Sequence, residues 1–339
     1  LVQDRGPEMS DVLTLDALRE LGRREQPRHA EWFKTNLVEA EPSDTFTIAY
    51  TSGTTGVPKG VVLTHDNLMS VLEDCVTALS SFVEPEKEVI LSFLPFSHIL
   101  GKVESMAGHV FGWEEAYSRG LETLPQDLME VRPTLIFAVP RIFEKSYNRV
   151  MGELDHGPVS QRRIFDWGFN AGRRVMEAKW AGKKPQIVDV IQYQAAKAGI
   201  FSKVSKRFGG RLKFSICGGA PLPREIGEFF EIVGIKTLEG YGLTETCAPI
   251  AVNTPDDTRY GTVGKPLPES QVRIAEDGEI LIKARKVFKE YFHAPEETAE
   301  VLRDGWFYAG DIGYLAQDGL LNITARKKEL IIASGGKNV

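Results

Sequence analysis

Hydrophobic and polar positions change their spacing several times along the chain, and each change marks an element. Between Leu13 and Glu25 the apolar residues Leu13, Leu15, Leu18 and Leu21 recur at near-helical intervals among charges. That spacing predicts an amphipathic surface helix, a peripheral structural element. The β-branched and aromatic run Thr45 to Thr51 reads as a strand, and Gly60 to Thr64 as a second one. Together they make a strand-loop-strand unit. Asp66 to Leu79 is predicted as a helix capped at Thr64 or Asp66, and Val89 to Leu94 as a buried strand ending at Pro95. Leu135 to Val139 is a short apolar strand, whereas the stretch from about Arg141 to Arg207 is charged, helix-prone and poor in turn signals.

Strands at Leu212 to Cys217 and Ile235 to Leu238 each open into glycines, Gly218-Gly219 and Glu239-Gly240-Tyr241-Gly242. Ligands of open α/β sheets bind at such carboxyl ends. Strands alternating with long helices imply a parallel sheet with helical cover. From about Gly261 short strands and turns take over, including Gly278 to Ile282 and Gly319 to Thr324. The expected fold class is therefore α/β, with parallel sheets under helical cover and a β-rich lobe. The expected division is an α/β core over 1–260, the β-rich lobe over 261–326 and a short remainder over 327–339. No internal repeat and no low-complexity tract interrupts this order.

Composition narrows the classes without choosing one. The 339 residues are 42% hydrophobic and 26% charged, which is ordinary for a globular chain with a large core. A formal net charge of −6 offers no basic footprint for a nucleic-acid backbone, so a nucleic-acid partner is not expected. Cys75, Cys217 and Cys247 stand far apart and outside any CxxC or Cys/His spacing, which argues for reduced thiols and a cytoplasmic setting. No stretch approaches 18 uninterrupted apolar residues, and the N-terminus has neither an initiator Met nor a leader pattern.

Chemistry concentrates in a few strings. Thr51-Ser52-Gly53-Thr54-Thr55-Gly56-Val57-Pro58-Lys59-Gly60 combines small residues, hydroxyls and a cation, the mixture that a phosphate-binding loop needs. It is not the common nucleotide-triphosphatase pattern, because Pro58 intervenes and Lys59 leads into a strand. Taken alone, such a Ser/Thr/Gly stretch is most often a flexible loop. In Tyr241-Gly242-Leu243-Thr244-Glu245, glycines allow a backbone to approach a base and ribose, Thr244 offers a hydroxyl to phosphate, and Glu245 is a hard oxygen ligand suited to Mg²⁺. The bland alternative is a helix start with Thr244 and Glu245 as ordinary caps.

The complete Thr-Ser-Gly-Thr-Thr-Gly-x-Pro-Lys-Gly string resembles the signature loop of the adenylate-forming superfamily: acyl-CoA synthetases, luciferases of the firefly type and peptide-synthetase adenylation domains. Tyr241 to Glu245 is a second, independent match. The resemblance implies that the loop closes over the β- and γ-phosphates of ATP. It also implies that Gly218-Gly219-Ala220-Pro221-Leu222, whose plain reading is a Gly-Pro strand exit, is an adenine-binding turn. Asp311, in Gly310-Asp311-Ile312-Gly313, would accept the ribose hydroxyls, and Arg326 would contact ribose and phosphate, although the usual preceding Asp is Ala325 here. Lys328 falls at the family's hinge, where a basic turn is otherwise the plain reading of Arg326-Lys327-Lys328. His98 falls where the family places an aromatic or histidine beside the carboxylate being activated. Its implied role is orienting or electrostatic, since a fatty acid is already ionised near neutral pH.

Val139-Pro140-Arg141-Ile142-Phe143-Glu144-Lys145, Arg132-Pro133-Thr134, the Phe-Ser-His-Ile-Leu-Gly string and the long helical stretch resemble the long-chain fatty acid–CoA ligase subgroup. The implied substrates are a fatty acid, ATP with Mg²⁺, and coenzyme A, with acyl-AMP as intermediate. The alternatives are a fatty acyl-AMP ligase that loads a carrier protein and a noncatalytic ATP- or acyl-binding fragment. A lipid substrate leaves room for peripheral membrane contact, and oligomeric state is unreadable. Members of this family carry more chain before the loop and a subdomain after the hinge, so truncation at both ends is expected, with the C-terminal subdomain absent and turnover impaired.

Overall fold

The computed structural model describes residues 13–51 and 58–327. Contacts divide the chain into two units, Leu1–Asp44 and Thr45–Val339. The first contains helix α1, Leu15–Glu39, capped by the Thr14 hydroxyl, which accepts the Ala17 N–H at 3.1 Å. The helix expected to end near Glu25 runs on through Pro27, carried by Arg and Lys paired with acids three residues away. Its leucines at 15, 18 and 21 are exposed, as a surface helix requires.

The second unit opens with β1 (Thr45–Thr51) and β2 (Lys59–Thr64), an antiparallel pair whose register sets Thr51 opposite Lys59. Thr64 then starts α2 (His65–Leu79) with a capping box to Asn67. After it come β3 (Val89–Ser92), α3 (Ile99–Phe111), β4 (Glu114–Tyr117), α4 (Leu124–Val131) and β5 (Leu135–Ala138). The charged middle stretch is helical as its pattern predicts: α5 (Pro140–Asp155), α6 (Val159–Trp180), α7 (Ile187–Ala196), a π turn at Lys197–Phe201, and α8 (Ser202–Arg207). Then follow β6 (Phe214–Cys217), α9 (Arg224–Ile232), β7 (Lys236–Leu243), a 3₁₀ turn at Thr244–Thr246 and β8 (Ala248–Val252). The last stretch is β-rich as expected: β9 (Lys265–Pro266), β10 (Gln271–Ile274), β11 (Glu279–Lys283), β12 (Glu290–Tyr291), α10 (Pro295–Val301), β13 (Leu302–Arg303), β14 (Trp306–Leu315) and β15 (Leu321–Arg326).

Seven strands form the main sheet in the order β4-β3-β5-β6-β7-β8-β9, parallel from β4 to β7 and antiparallel beyond. In β5 every side chain is buried, and alternation sends Leu135 and Phe137 to one core and Ile136 and Ala138 to the other. A parallel strand covered on both faces must be apolar throughout. One core includes α2, α3 and the later strands; the other includes α4 to α9. The smaller sheets are β1-β2-β12 and a five-stranded one built on β11 and β14.

One strand departs from expectation. The strand expected to end at Leu238 does not stop at the glycine string, and β7 continues through it to Leu243. Parallel pairing with β6 ends at Glu239, and from Gly240 the strand pairs antiparallel with β8 instead. Gly242 is required there because a Cβ would lie 2.0 Å from the Ala248 carbonyl oxygen. The need for glycine comes from a neighbouring strand. Thr244 and Glu245 accordingly start a single 3₁₀ turn, so the capped-helix alternative is absent.

Two buried polar groups tie these layers together. Lys286, wholly buried, donates to Asp74 on α2 and, at 2.9 Å, to the Pro249 carbonyl on β8. Burial pushes the Lys286 ammonium down from its ordinary range, and Asp74 opposes that shift. Removing one partner strands a charge, so Lys286→Met should cost about 3–5 kcal/mol in urea unfolding, and Asp74→Leu added to it should recover most of the loss. Glu104, also buried, has only the Ser92 hydroxyl at 3.4 Å and faces Glu115, whose Oε1 is likewise without a partner among the described residues. Burial first and Glu115 second push its carboxyl up to about 8. A raised acid binds its proton more tightly in the folded state, so stability declines as pH rises from the ordinary carboxylate range through about 8. Glu104→Gln should abolish that part of the decline and, above about pH 8, melt at a higher temperature than wild type.

Candidate active site

The ends of β1, β2, β6 and β7 open on a cleft of about 860 Å³ within the second unit. Three groups of side chains divide it. At one end stand Thr51 and Lys59, cross-strand partners that close the glycine-rich hairpin. The Lys59 ammonium lies 5.0 Å from the centre of the Tyr291 ring, and the Tyr291 O–H donates to Glu245 Oε1 at 2.8 Å. Burial and the adjacent Glu245 both raise the Tyr291 phenol, so it keeps its proton and remains a donor. Thr244 sits beside Glu245 on the cleft wall.

In the second group, the Tyr241 O–H donates to Asp311 Oδ2 at 2.5 Å, and Arg326 Nε lies 2.9 Å from Asp311 Oδ1. Burial lifts the Asp311 carboxyl above its ordinary value, against the pull of Tyr241 and Arg326. Tyr241 is raised well above 10, by burial first and Asp311 second. Gly218 and Gly219 lie beside this group, Gly219 at φ +84°, where any side chain is strained. Behind the turn, Glu239 Oε1 accepts the Leu222 N–H at 3.0 Å, while Oε2 is buried without a partner among the described residues. Burial brings the Glu239 carboxyl up to about 7.

A third, apolar group on the cleft wall comprises Ala78 and Leu79 of α2, Ile99 and Val103 of α3, Pro249 and Leu267. His98 also lines the cleft as the N-cap of α3, exposed rather than packed in a core.

Of the residues singled out from sequence, Thr51, Lys59, His98, Gly218, Gly219, Gly240, Tyr241, Gly242, Thr244, Glu245 and Arg326 line this one cleft. Asp311 is bonded to two of them, and Glu239 braces the turn that carries Ala220 and Pro221 rather than facing the cleft. Ser52, Gly53, Thr54, Thr55, Gly56 and Lys328 lie outside the described residues. Sequence reasoning missed Tyr291, and also Glu279 and Lys327, which pair at 2.6 Å on the cleft wall. Tyr291 lies on a two-residue strand, too short for any periodic signal. Tyr241→Phe removes a donor from a buried carboxylate and should lower unfolding stability by about 1–3 kcal/mol, measured by urea titration.

Residues 2–292 match the family described as AMP-binding enzyme. The long-chain-fatty-acid–CoA ligase FadD15 of Mycobacterium bovis is 35% identical over 325 residues, covering 96% of this chain and 53% of the relative. Long chain acyl-CoA synthetase 3 of Arabidopsis thaliana is 33% identical, covering 89% and 47%. Among solved structures, ATP-bound MatB from Rhodopseudomonas palustris superposes with a TM-score of 0.66 at 26% identity, covering 89% of this chain and 52% of that one. The inhibitor-bound N-terminal domain of FACL13 from Mycobacterium tuberculosis gives 0.67 at 23% identity, covering 96% and 70%, a likeness of fold. The chain spans about half the length of the curated relatives it matches. The family match extends over most of the chain, and the chain belongs to the AMP-binding enzyme family.

Proposed function

We propose that this chain is the nucleotide- and acyl-binding part of a long-chain fatty acid–CoA ligase. The observation that carries the reading is a single cleft lined both by Lys59, Thr244 and Glu245 and by an apolar group from α2, α3, Pro249 and Leu267, with His98 on the same wall. The relatives named as fatty-acid–CoA ligases support the acyl substrate. The proposed reaction has two steps. A fatty carboxylate attacks the α-phosphorus of ATP, forming acyl-AMP and releasing pyrophosphate; the thiol of coenzyme A then displaces AMP.

In this reading Thr51 and Lys59, with the hairpin between them, bind the β- and γ-phosphates, and Asp311 and Arg326 bind the ribose. The turn from Gly218 to Pro221, braced by Glu239, faces adenine. His98 orients the carboxylate, and Lys328 is the hinge. Displacement at phosphorus builds charge on oxygens that are already anionic, so fixed cations and hydrogen-bond donors at that end stabilise it. Magnesium fits the donor set: Glu245 is a carboxylate at the phosphate end, and phosphate and water would complete the oxygen shell. When bound, it neutralises developing charge on the triphosphate. Tyr291 holds the Glu245 carboxylate in place through its O–H. No helix among the described residues is long and apolar enough to cross a membrane, and a lipid substrate makes peripheral contact with a bilayer part of the same proposal.

The test is release of AMP and pyrophosphate from ATP by a protein of the relatives' length that contains this chain. With magnesium and palmitate both should form together, and adding coenzyme A should yield palmitoyl-CoA. Tyr291→Phe should weaken binding of ATP more than binding of AMP, because Tyr291 holds Glu245 and lies beside Lys59, the residues assigned here to the phosphates and their magnesium. AMP release without a thioester would point to carrier-protein loading, and no palmitate-dependent AMP release would reject the ligase reading.

A further inference from the structure

The proposed reaction leaves the long helical stretch unused. α6 and α7 form a tight pair: a Cβ on Gly168 would come within 2.4 Å of the Ala196 side chain and one on Gly172 within 2.9 Å of the Tyr193 ring, while Arg174 Nε donates to Asp189 at 2.8 Å. Their inward faces are filled, with Phe165, Ala171, Val175 and Met176 of α6 and Tyr193 and Ala196 of α7 buried. Yet α7 begins with three more large apolar side chains on its outer side, Ile187, Val188 and Ile191, exposed by 77%, 60% and 63%. A surface helix in water carries polar residues there.

The charges around these residues are as unusual as their exposure. Residues 159–207 hold eleven Lys and Arg against three Asp and Glu, a local charge of +8 in a chain whose net charge is −6. Lys179, Lys183 and Lys184 lie at the α6–α7 turn, immediately before the exposed apolar residues, and Lys197, Lys203 and Lys206 continue beyond α7. None of these six has an ion-pair partner among the described residues. Long basic side chains beside exposed aliphatic ones suit an interface whose surface is anionic and whose interior is apolar.

We propose that the tip of the α6–α7 hairpin docks on an anionic phospholipid bilayer, with Ile187, Val188 and Ile191 entering the acyl boundary and Lys179, Lys183 and Lys184 meeting the headgroups. The surface carries the docking proposal by itself; that docking serves uptake of a fatty acid rests on the acyl-activating reading. Charge complementarity selects this occupant over a second copy, since two such tips would bring like charges together.

Sedimentation with vesicles tests it, using phosphatidylcholine alone and phosphatidylcholine mixed with phosphatidylglycerol. Wild type should pellet with the mixed vesicles and not with the neutral ones, and should be released by salt. Lys183→Glu with Lys184→Glu, and separately Ile187→Gln with Ile191→Gln, should each lower partitioning roughly tenfold or more. ATP binding measured on the same variants should be unchanged, so a failed vesicle assay with intact ATP binding rejects docking alone, and lost ATP binding in wild type rejects the nucleotide reading alone. Equal pelleting of variants and wild type, or of wild type with both vesicle types, would overturn the proposal. So would a protein of the relatives' length that leaves mixed vesicles unbound, which would show the tip covered by the rest of its own chain. A wild-type dimer that the Ile187→Gln, Ile191→Gln variant dissolves would assign the tip to a second copy instead.

Discussion

The hydrogen bond from Tyr291 to Glu245 links the sheet that carries Lys59 to the main sheet at the cleft wall. Glu245 follows the end of β7 in the main sheet, while Tyr291 lies on β12, paired with the strand that carries Lys59. The segment leading to Tyr291 is fixed at successive points. Lys286 is bonded to Asp74, the Phe288 N–H donates to the Glu245 carbonyl at 2.7 Å, and the Lys289 N–H donates to the Val62 carbonyl at 3.0 Å. Phe288 packs against both Tyr291 and Phe307. A cation, a carboxylate and a phenol are thereby held together by the fold itself, which would keep the reorganisation cost low in the proposed binding of a polyphosphate.

Much of this was legible in the sequence, and the parts that were not share a cause. Alternation and apolar runs located β1, β2, β3, β5 and β6 to within a few residues, because burial on one or both faces dictates side-chain pattern directly. Gly218 and Gly219 follow the end of β6, while Gly240 and Gly242 lie inside β7 just past its last parallel pair, and all four line the cleft. The reach of β7 to Leu243 was hidden, since a change from parallel to antiparallel neighbours leaves no mark in periodicity. Glycine at 242 records the approach of Ala248, which a sequence reader takes for space left to a ligand. Tyr291 and the Lys286–Asp74 pair escaped notice for a related reason: their partners lie 46 and 212 residues away, and only the folded chain brings them together.

Burial also governs how the site's acids behave. Glu239 and Asp311 are both lifted by loss of water, but Asp311 is met by a phenol and a guanidinium, whereas Glu239 is met by a single backbone N–H. Glu239 thus braces the Gly218 to Leu222 turn, and Asp311 is held between Tyr241 and Arg326. The α6–α7 hairpin, by contrast, leaves Lys179, Lys183 and Lys184 exposed and without an ion-pair partner among the described residues, and contributes no residue to the cleft wall. Polar chemistry inside and surface electrostatics outside belong to different stretches of the chain.

The most direct measurement is a crystal structure of this chain soaked with ATP and magnesium. The account predicts the triphosphate between the hairpin at Thr51 and Lys59 and the Glu245 carboxylate, the ribose hydroxyls on Asp311, and adenine against Gly218 to Pro221. Nucleotide bound away from this cleft, or an ATP whose phosphates lie nearer His98 than Lys59, would contradict it.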